Sequence, residues 1–168
     1  MSKVILICGK IGSGKSTYAN RLAEQINAVN ISQDEIMFSL FGEELYRKEP
    51  QTYEKYCSDV ESYVKRKAGE VAKAGANVIC ENGFWSRSER DDLRKFYKEM
   101  GVICELHYVD TPEEIRLQNI RKRNEEVLQG KLHFYLTEDK DIYHFFEIPT
   151  ESEIDKRINW ENLCQSNF

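Results

Sequence analysis

Nine consecutive residues near the start of the chain, Gly9-Lys10-Ile11-Gly12-Ser13-Gly14-Lys15-Ser16-Thr17, constrain the fold more than any other part of it. An apolar run from Val4 to Cys8 precedes them, and a helical pattern with Tyr18, Leu22 and Ile26 on one face follows. A strand, a glycine-rich turn and a helix entered at its N-terminus leave few architectures open. Backbone approaches a ligand closely only where Cβ atoms do not intrude, so Gly9, Gly12 and Gly14 let several N–H groups converge on an anion from one side.

The remaining sequence repeats the same alternation. Val78 to Cys80 and Val102 to Tyr108 read as further strands, apolar on both faces as in a parallel sheet covered on both sides, and Asn27 to Ile31 reads as the second strand. Between them, Tyr56, Val60, Tyr63, Val64 and Val71, then Leu93, Phe96, Tyr97 and Met100, recur at helical spacing, and Gly75 and Gly101 follow where helix stops belong. Glu113 to Arg123 reads as another helix, with Thr111 as its start signal and Pro112 in its first turn. The expected fold is α/β, a parallel sheet of four or five strands with helices on both faces. Its 168 residues, 40% apolar, fit one domain over 1–168. From 124 to 148 the rhythm breaks, with Gly130 and the aromatics Phe134, Tyr135, Tyr143, Phe145 and Phe146. A C-terminal lid and an insertion whose aromatics are core are both open there, and the tail after Pro149 reads as a final helix or an edge strand.

Composition excludes several classes. No run approaches the roughly 18 to 20 apolar residues of a membrane span, and no secretory pattern opens the chain, so a soluble, cytoplasmic protein without a membrane partner is expected. The cysteines, Cys8, Cys57, Cys80, Cys104 and Cys164, form no C-x-x-C pair and are expected to be reduced. A net charge of −5 argues against a broad basic surface for duplex nucleic acid, although Arg116, Arg121, Lys122, Arg123 and Lys131 cluster locally.

Gly9 to Thr17 matches G-x-x-x-x-G-K-[ST], the spacing that cradles nucleotide phosphates. Lys15 supplies a point charge between β- and γ-phosphates, Ser16 a hard oxygen for Mg²⁺, and Thr17 a contact to the α-phosphate. Gly9, Gly12, Ser13, Gly14, Lys15, Ser16 and Thr17 are thus the expected ATP-binding set. Transfer also needs a carboxylate to take the acceptor's proton, and Asp34 stands just beyond the second strand, where ligand crevices open. The same position also allows it to cap a helix beginning near Ile36. At the third strand's end, Glu81 is placed to hold Mg²⁺ through water and Asn82 to orient an acceptor. Arg90 is expected to clamp an acceptor phosphate, with Arg87 as the alternative. Arg123, at the end of its helix, is placed to fold over the γ-phosphate, while favourable helix-terminal charge explains the same residue type.

These residues resemble the small P-loop kinases, a family that includes the phage-type polynucleotide 5′-kinase domain, zeta-toxin-like kinases and chloramphenicol phosphotransferase. The similarity spans roughly Val4 to Asn124 and rests on the glycine-rich loop, Ile31-Ser32-Gln33-Asp34, Glu81-Asn82 followed by Arg90, and the helix ending at Arg123. It implies a P-loop NTPase fold, ATP and Mg²⁺ as cofactors, Asp34 as general base and Arg123 as lid arginine. Phe146-Glu147-Ile148-Pro149-Thr150 looks like the loop closing over adenine in gluconate-kinase-like members.

Three positions depart from the pattern: Met37 where polynucleotide kinases carry an arginine, Glu81 where aspartate is usual, and Asn119 in place of the first lid arginine. Met37 removes a contact to an acceptor phosphate. The expected activity is therefore transfer of the γ-phosphate of ATP to a hydroxyl of a small molecule, held near Phe38, Phe41, Glu43, Glu44, Tyr46 and Tyr53. A polynucleotide 5′-hydroxyl, or an ATPase switch with no acceptor, is the alternative. No guanine-reading N-K-x-D or T-K-x-D motif is present.

Overall fold

The computed structural model describes residues 1–130, 136–138 and 141–164, without the side chains at 43, 44, 46, 47, 50, 162 and 164. The elements run β1 (Lys3–Cys8), α1 (Lys15–Ile26), β2 (Ala28–Ile31), α2 (Gln33–Lys48), α3 (Pro50–Lys73), β3 (Asn77–Gly83), α4 (Arg87–Glu99), β4 (Ile103–Asp110) and α5 (Glu113–Leu128). A 3₁₀ turn (Asp141–Phe145), β5 (Lys156–Asn159) and α6 (Trp160–Cys164) follow. The strands pair in parallel in the order β2-β3-β1-β4-β5. The connection from β1 runs to β2 on one side and that from β3 to β4 on the other, and such a switch point opens a crevice beyond the strand C-termini.

Side chains alternate in a strand, and here both sets are apolar. Val4, Leu6, Cys8, Val78, Cys80, Leu106 and Tyr108 enter one core layer with Val64, Ala68 and Ala72 of α3 and Leu93 and Tyr97 of α4. Ile5, Ile7, Ile79, Val109 and Ile158 enter the other, against Tyr18, Ala19 and Leu22 of α1 and Leu163 of α6. Each fully buried isoleucine or leucine contributes about 1.5–3 kcal/mol, so the central strands carry most of the hydrophobic stabilisation.

Several local expectations change. The second-strand helix begins at Gln33, not near Ile36, because the Ser32 hydroxyl accepts from the Glu35 amide at 3.3 Å, a cap with glutamate three residues on. Thr111 caps nothing: Pro112 occupies the N-cap of α5, and the Thr111 hydroxyl turns to the glycine-rich loop. α5 continues past Arg123 to Leu128, so the first residues of the expected insertion are helical. Within that insertion Phe146 is buried at 7% exposure while Phe145 is exposed at 77%. Phe134 and Tyr135 lie outside the described residues. The tail forms both a strand and a short helix. Cys8, Cys57, Cys80 and Cys104 are free thiols, and Cys164 is outside the described side chains.

Candidate functional site

The loop between β1 and α1 is shaped by what lies behind it. A Cβ on Gly12, at φ +75°, would sit 2.6 Å from the Arg116 carbonyl and 2.8 Å from Ile120 Cγ1, so α5 packs against the loop only where no side chain exists. Gly14 holds the left-handed φ of +93° at the N-cap of α1. The Thr111 hydroxyl donates to the Ser13 carbonyl at 2.8 Å, the Arg116 guanidinium to Ile11 at 3.0 Å, and the Asn119 amide to Gly12 at 2.9 Å. Lys15 Nζ donates to the carbonyls of Gly9 at 2.9 Å and Lys10 at 3.1 Å. Burial lowers the Lys15 ammonium to about 8, against the opposing pull of Asp34 and Glu81. A half-buried cation whose hydrogen bonds go to neutral carbonyls is a site for an anion. The Ser13 hydroxyl, 1% exposed and without a partner, points the same way.

A crevice of about 410 Å³ opens in front of the loop. It is lined by Gly12, Gly14, Lys15, Ser16 and Thr17 of the loop and α1, by Asp34 and Glu81, and by Asn119, Lys122 and Arg123 of α5. Asp34, in the first turn of α2, is exposed there, and Ser32 has taken the capping role. Glu81 is buried; burial raises its carboxyl, and hydrogen bonds from the Ser16 hydroxyl and the Asn30 amide oppose the rise. Ser16 and Glu81 thus present adjoining hard oxygens, the donor type Mg²⁺ takes together with phosphate and water. No cluster of three His, Cys, Asp or Glu that would hold an ion unaided occurs among the described residues. Thr111 and Asn119 as loop braces, and Lys122 in the lining, went unread because their partners are distant in sequence. Ser32-x-x-Glu35 was a legible capping signal.

Other expected residues lie elsewhere. Arg90, read as an acceptor clamp, is 1% exposed: Nε pairs with Glu153 Oε1 at 2.9 Å and Nη1 donates to the Phe84 carbonyl at 3.0 Å. It is a core ion pair rather than a crevice residue. Burial alone would raise the Glu153 carboxyl, but the Thr150 amide and hydroxyl and Arg90 together bring it down to about 2. Arg87 is exposed beside Asp91 at 3.5 Å. Asn82 faces the α3–α4 layer, donating to Gln33 Oε1, and Met37 is core at 2% exposure. The 146–150 segment comes before β5, with the Glu147 amide donating to the Trp85 carbonyl at 2.9 Å. Leu163, beyond β5, is the residue that touches the loop at Gly14. Tyr143 lies under Arg116 at 4.7 Å and Lys10 at 5.1 Å. Of the acceptor-wall aromatics, Phe41 stacks on Tyr56 at 4.5 Å, while the side chains of Glu43, Glu44 and Tyr46 lie outside the described residues.

No helix of the described residues is long and apolar enough to cross a membrane. The fold is similar to that of a putative kinase from Chloroflexus aurantiacus J-10-fl, with a TM-score of 0.68, 14% identity, and 94% of this chain and 84% of that one covered. It is also similar to Mycobacterium tuberculosis APS kinase in complex with AMPPNP and APS, at a TM-score of 0.63, 16% identity and 94% and 88% coverage. The Pnkp1/Rnl/Hen1 RNA repair complex gives a TM-score of 0.67 at 23% identity, over 85% of this chain and 42% of that one. A search of curated proteins gives no match. A family model described as an AAA domain matches residues 4–133. With that match over most of its length and a glycine-rich loop on a five-stranded parallel sheet, the chain belongs to the AAA_33 family of P-loop kinase-like domains.

Proposed function

We propose that the chain is an ATP-dependent phosphotransferase that moves the γ-phosphate to a hydroxyl of a small molecule. The observation that carries this reading is the crevice itself, where the loop with Lys15 and the exposed carboxylate of Asp34 line one space of about 410 Å³. Bound Mg²⁺-ATP supplies the phosphoryl group, and Ser16 and Glu81 are the residues that would hold the metal. Lys15 holds positive charge where the β–γ bridging oxygen gains electrons, and Arg123 and Lys122 add charge from α5. Asp34 accepts the acceptor's hydroxyl proton as the new O–P bond forms and the bond to ADP breaks. Asn119 and Thr111 orient the loop from behind.

A polynucleotide 5′-hydroxyl is the second reading, supported by the likeness to the RNA repair complex. Against it stands Met37, an apolar core residue at the position where the resemblance calls for an arginine on an acceptor phosphate. The test is ADP release from ATP, with and without a panel of sugars, nucleosides, hydroxylated antibiotics and 5′-hydroxyl oligonucleotides. Small-molecule-dependent release supports the proposal. Acceptor-independent release marks a switch, and steeply salt-sensitive labelling of oligonucleotides alone overturns the small-molecule assignment.

A further inference from the structure

Gln33 and Asn82 fix each other's orientation. The Cys57 carbonyl can only accept, so Gln33 must turn Nε2 to it, which it does at 3.0 Å. That leaves Gln33 Oε1 facing Asn82, and only the amide Nδ2 of Asn82 can meet it. Flipping either amide would set oxygen against oxygen. Asn82 Oδ1 is therefore committed as an acceptor on the other side, and it is buried without a partner.

Asn82 shares with Cys80 the face of β3 that looks toward α3 and α4, and with Glu61 it lines a cleft of about 10 Å³ there. That volume is about one probe sphere, enough for a single water-sized group and too small for a phosphate or carboxylate. Lys65 also lines the cleft, its ammonium 4.6 Å over the Phe96 ring, and Arg90 Nε is paired with Glu153, so it is size rather than charge that keeps an anion out. Glu89 is pushed up by burial and by the charge of Glu61, against the opposing pull of Arg90.

Resting on the phosphotransfer reading above, we propose that Asn82 Oδ1 reads the acceptor by taking a hydrogen bond from one of its amino or hydroxyl groups. The substrate is a neutral or cationic small molecule with such a donor beside the reacting hydroxyl, and phosphorylated or carboxylated analogues are rejected. Gln33 is a positioning residue that acts through Asn82.

The test uses matched compounds, neutral sugars with their amino, uronic and phosphorylated forms and the corresponding nucleosides and nucleotides. Two readouts are taken: ADP release from ATP, and the side-chain amide shift of Asn82 in protein titrated with each compound, with and without Mg²⁺ and AMPPNP. Neutral or amino compounds are expected to stimulate release and shift Asn82, the amino arm telling whether Glu61 adds to the hydrogen bond. Asn82→Leu raises their KM about 10-fold or more, the size of one lost buried hydrogen bond, without moving the KM for ATP, and Asn82→Asp, which keeps one accepting oxygen but sets the other against Gln33 Oε1, raises it as well. Gln33→Glu, which sets an oxygen against the Cys57 carbonyl, raises acceptor KM without moving that for ATP. Preference for anionic compounds, an unchanged KM in Asn82→Leu, or neither turnover nor an Asn82 shift with any compound while AMPPNP still binds would each overturn the proposal, the last by showing a cleft that holds water only. Failure to bind AMPPNP would instead remove the phosphotransfer reading, and the titrations without nucleotide then decide the Asn82 assignment alone.

Discussion

The two halves of the crevice are built differently. The phosphate half is a backbone device: Gly9 to Ser13 is braced through its carbonyls by Thr111, Arg116, Asn119 and Lys15, and little depends on side-chain identity beyond size and one charge. The proposed acceptor side is a side-chain device: Asp34 lines the crevice, and the Gln33–Asn82 pair, outside that lining, stands on the ends of α2 and β3, where a one-atom change reverses a donor and an acceptor. Backbone sites tolerate distant divergence and serve many chemistries, whereas side-chain sites carry the identity of the substrate.

The comparison breaks most sharply at Lys15. Lys15→Ala is expected to reduce transfer about 10³- to 10⁵-fold, the range for removing a cation from a transferring phosphoryl group, with the circular dichroism spectrum unchanged. Near-parental turnover in the folded variant would remove the loop from the mechanism. On the acceptor side, Asp34→Asn should lower kcat about 10²- to 10⁴-fold with ATP affinity retained, because the amide keeps the shape and cannot take the proton. Since Ser32 already caps α2, unchanged melting is expected beside the lost activity.

Arg90 sharpens the boundary between site and scaffold. Arg90→Ala leaves Glu153 buried and unpaired, at a cost of about 3–5 kcal/mol in denaturant unfolding, with kcat per folded molecule preserved. A raised acceptor KM at unaltered stability would return Arg90 to the site. Thr111→Val removes one buried hydrogen bond from the loop, about 1 kcal/mol, and should weaken ATP about fivefold while leaving acceptor KM alone. The smallest effect is a pH slope. His107 is held below its usual 6.5 by burial, although Glu105 pulls the other way, so the unfolded chain takes up its proton first. Stability contributed by this group is therefore present above 6.5 and lost as pH falls below it. A thermal scan between pH 7 and 5 should show a decline that His107→Gln flattens.

Much of the phosphate half was legible in sequence because a strand, a fixed spacing and a helix are all local. β1, the loop and α1 were read to within a residue or two, and the apolar runs gave four of the five strands. β5, Lys-Arg-Ile-Asn, buries Ile158 alone fully and shows no run to read. Residues whose role depends on a long-range partner were misassigned. Arg90 sits at a spacing suited to a clamp, yet Glu153 lies 63 positions on, and nothing local announces that pairing. Thr111 before a proline has the composition of a cap, and only the fold turns its hydroxyl to Ser13. The Gln33–Asn82 amide pair was invisible for the same reason, although Asn82 stands at a strand end where an acceptor was expected.

Carbonyl oxygens are what an anion would find repulsive in a peptide loop, and here all five from Gly9 to Ser13 are engaged by donors. Three of those donors come from residues roughly a hundred positions downstream. The loop's affinity for negative charge is thus only partly written in its own nine residues, where Lys15 covers two of the five oxygens. Transplanted onto another strand and helix without the 111–119 segment, the same sequence would turn through the same glycines and face its ligand with uncovered oxygens. Its electrostatic sign is supplied in trans along the chain, and Tyr143, bonded to Arg116 at 2.9 Å, gives the segment after α5 a direct hold on it.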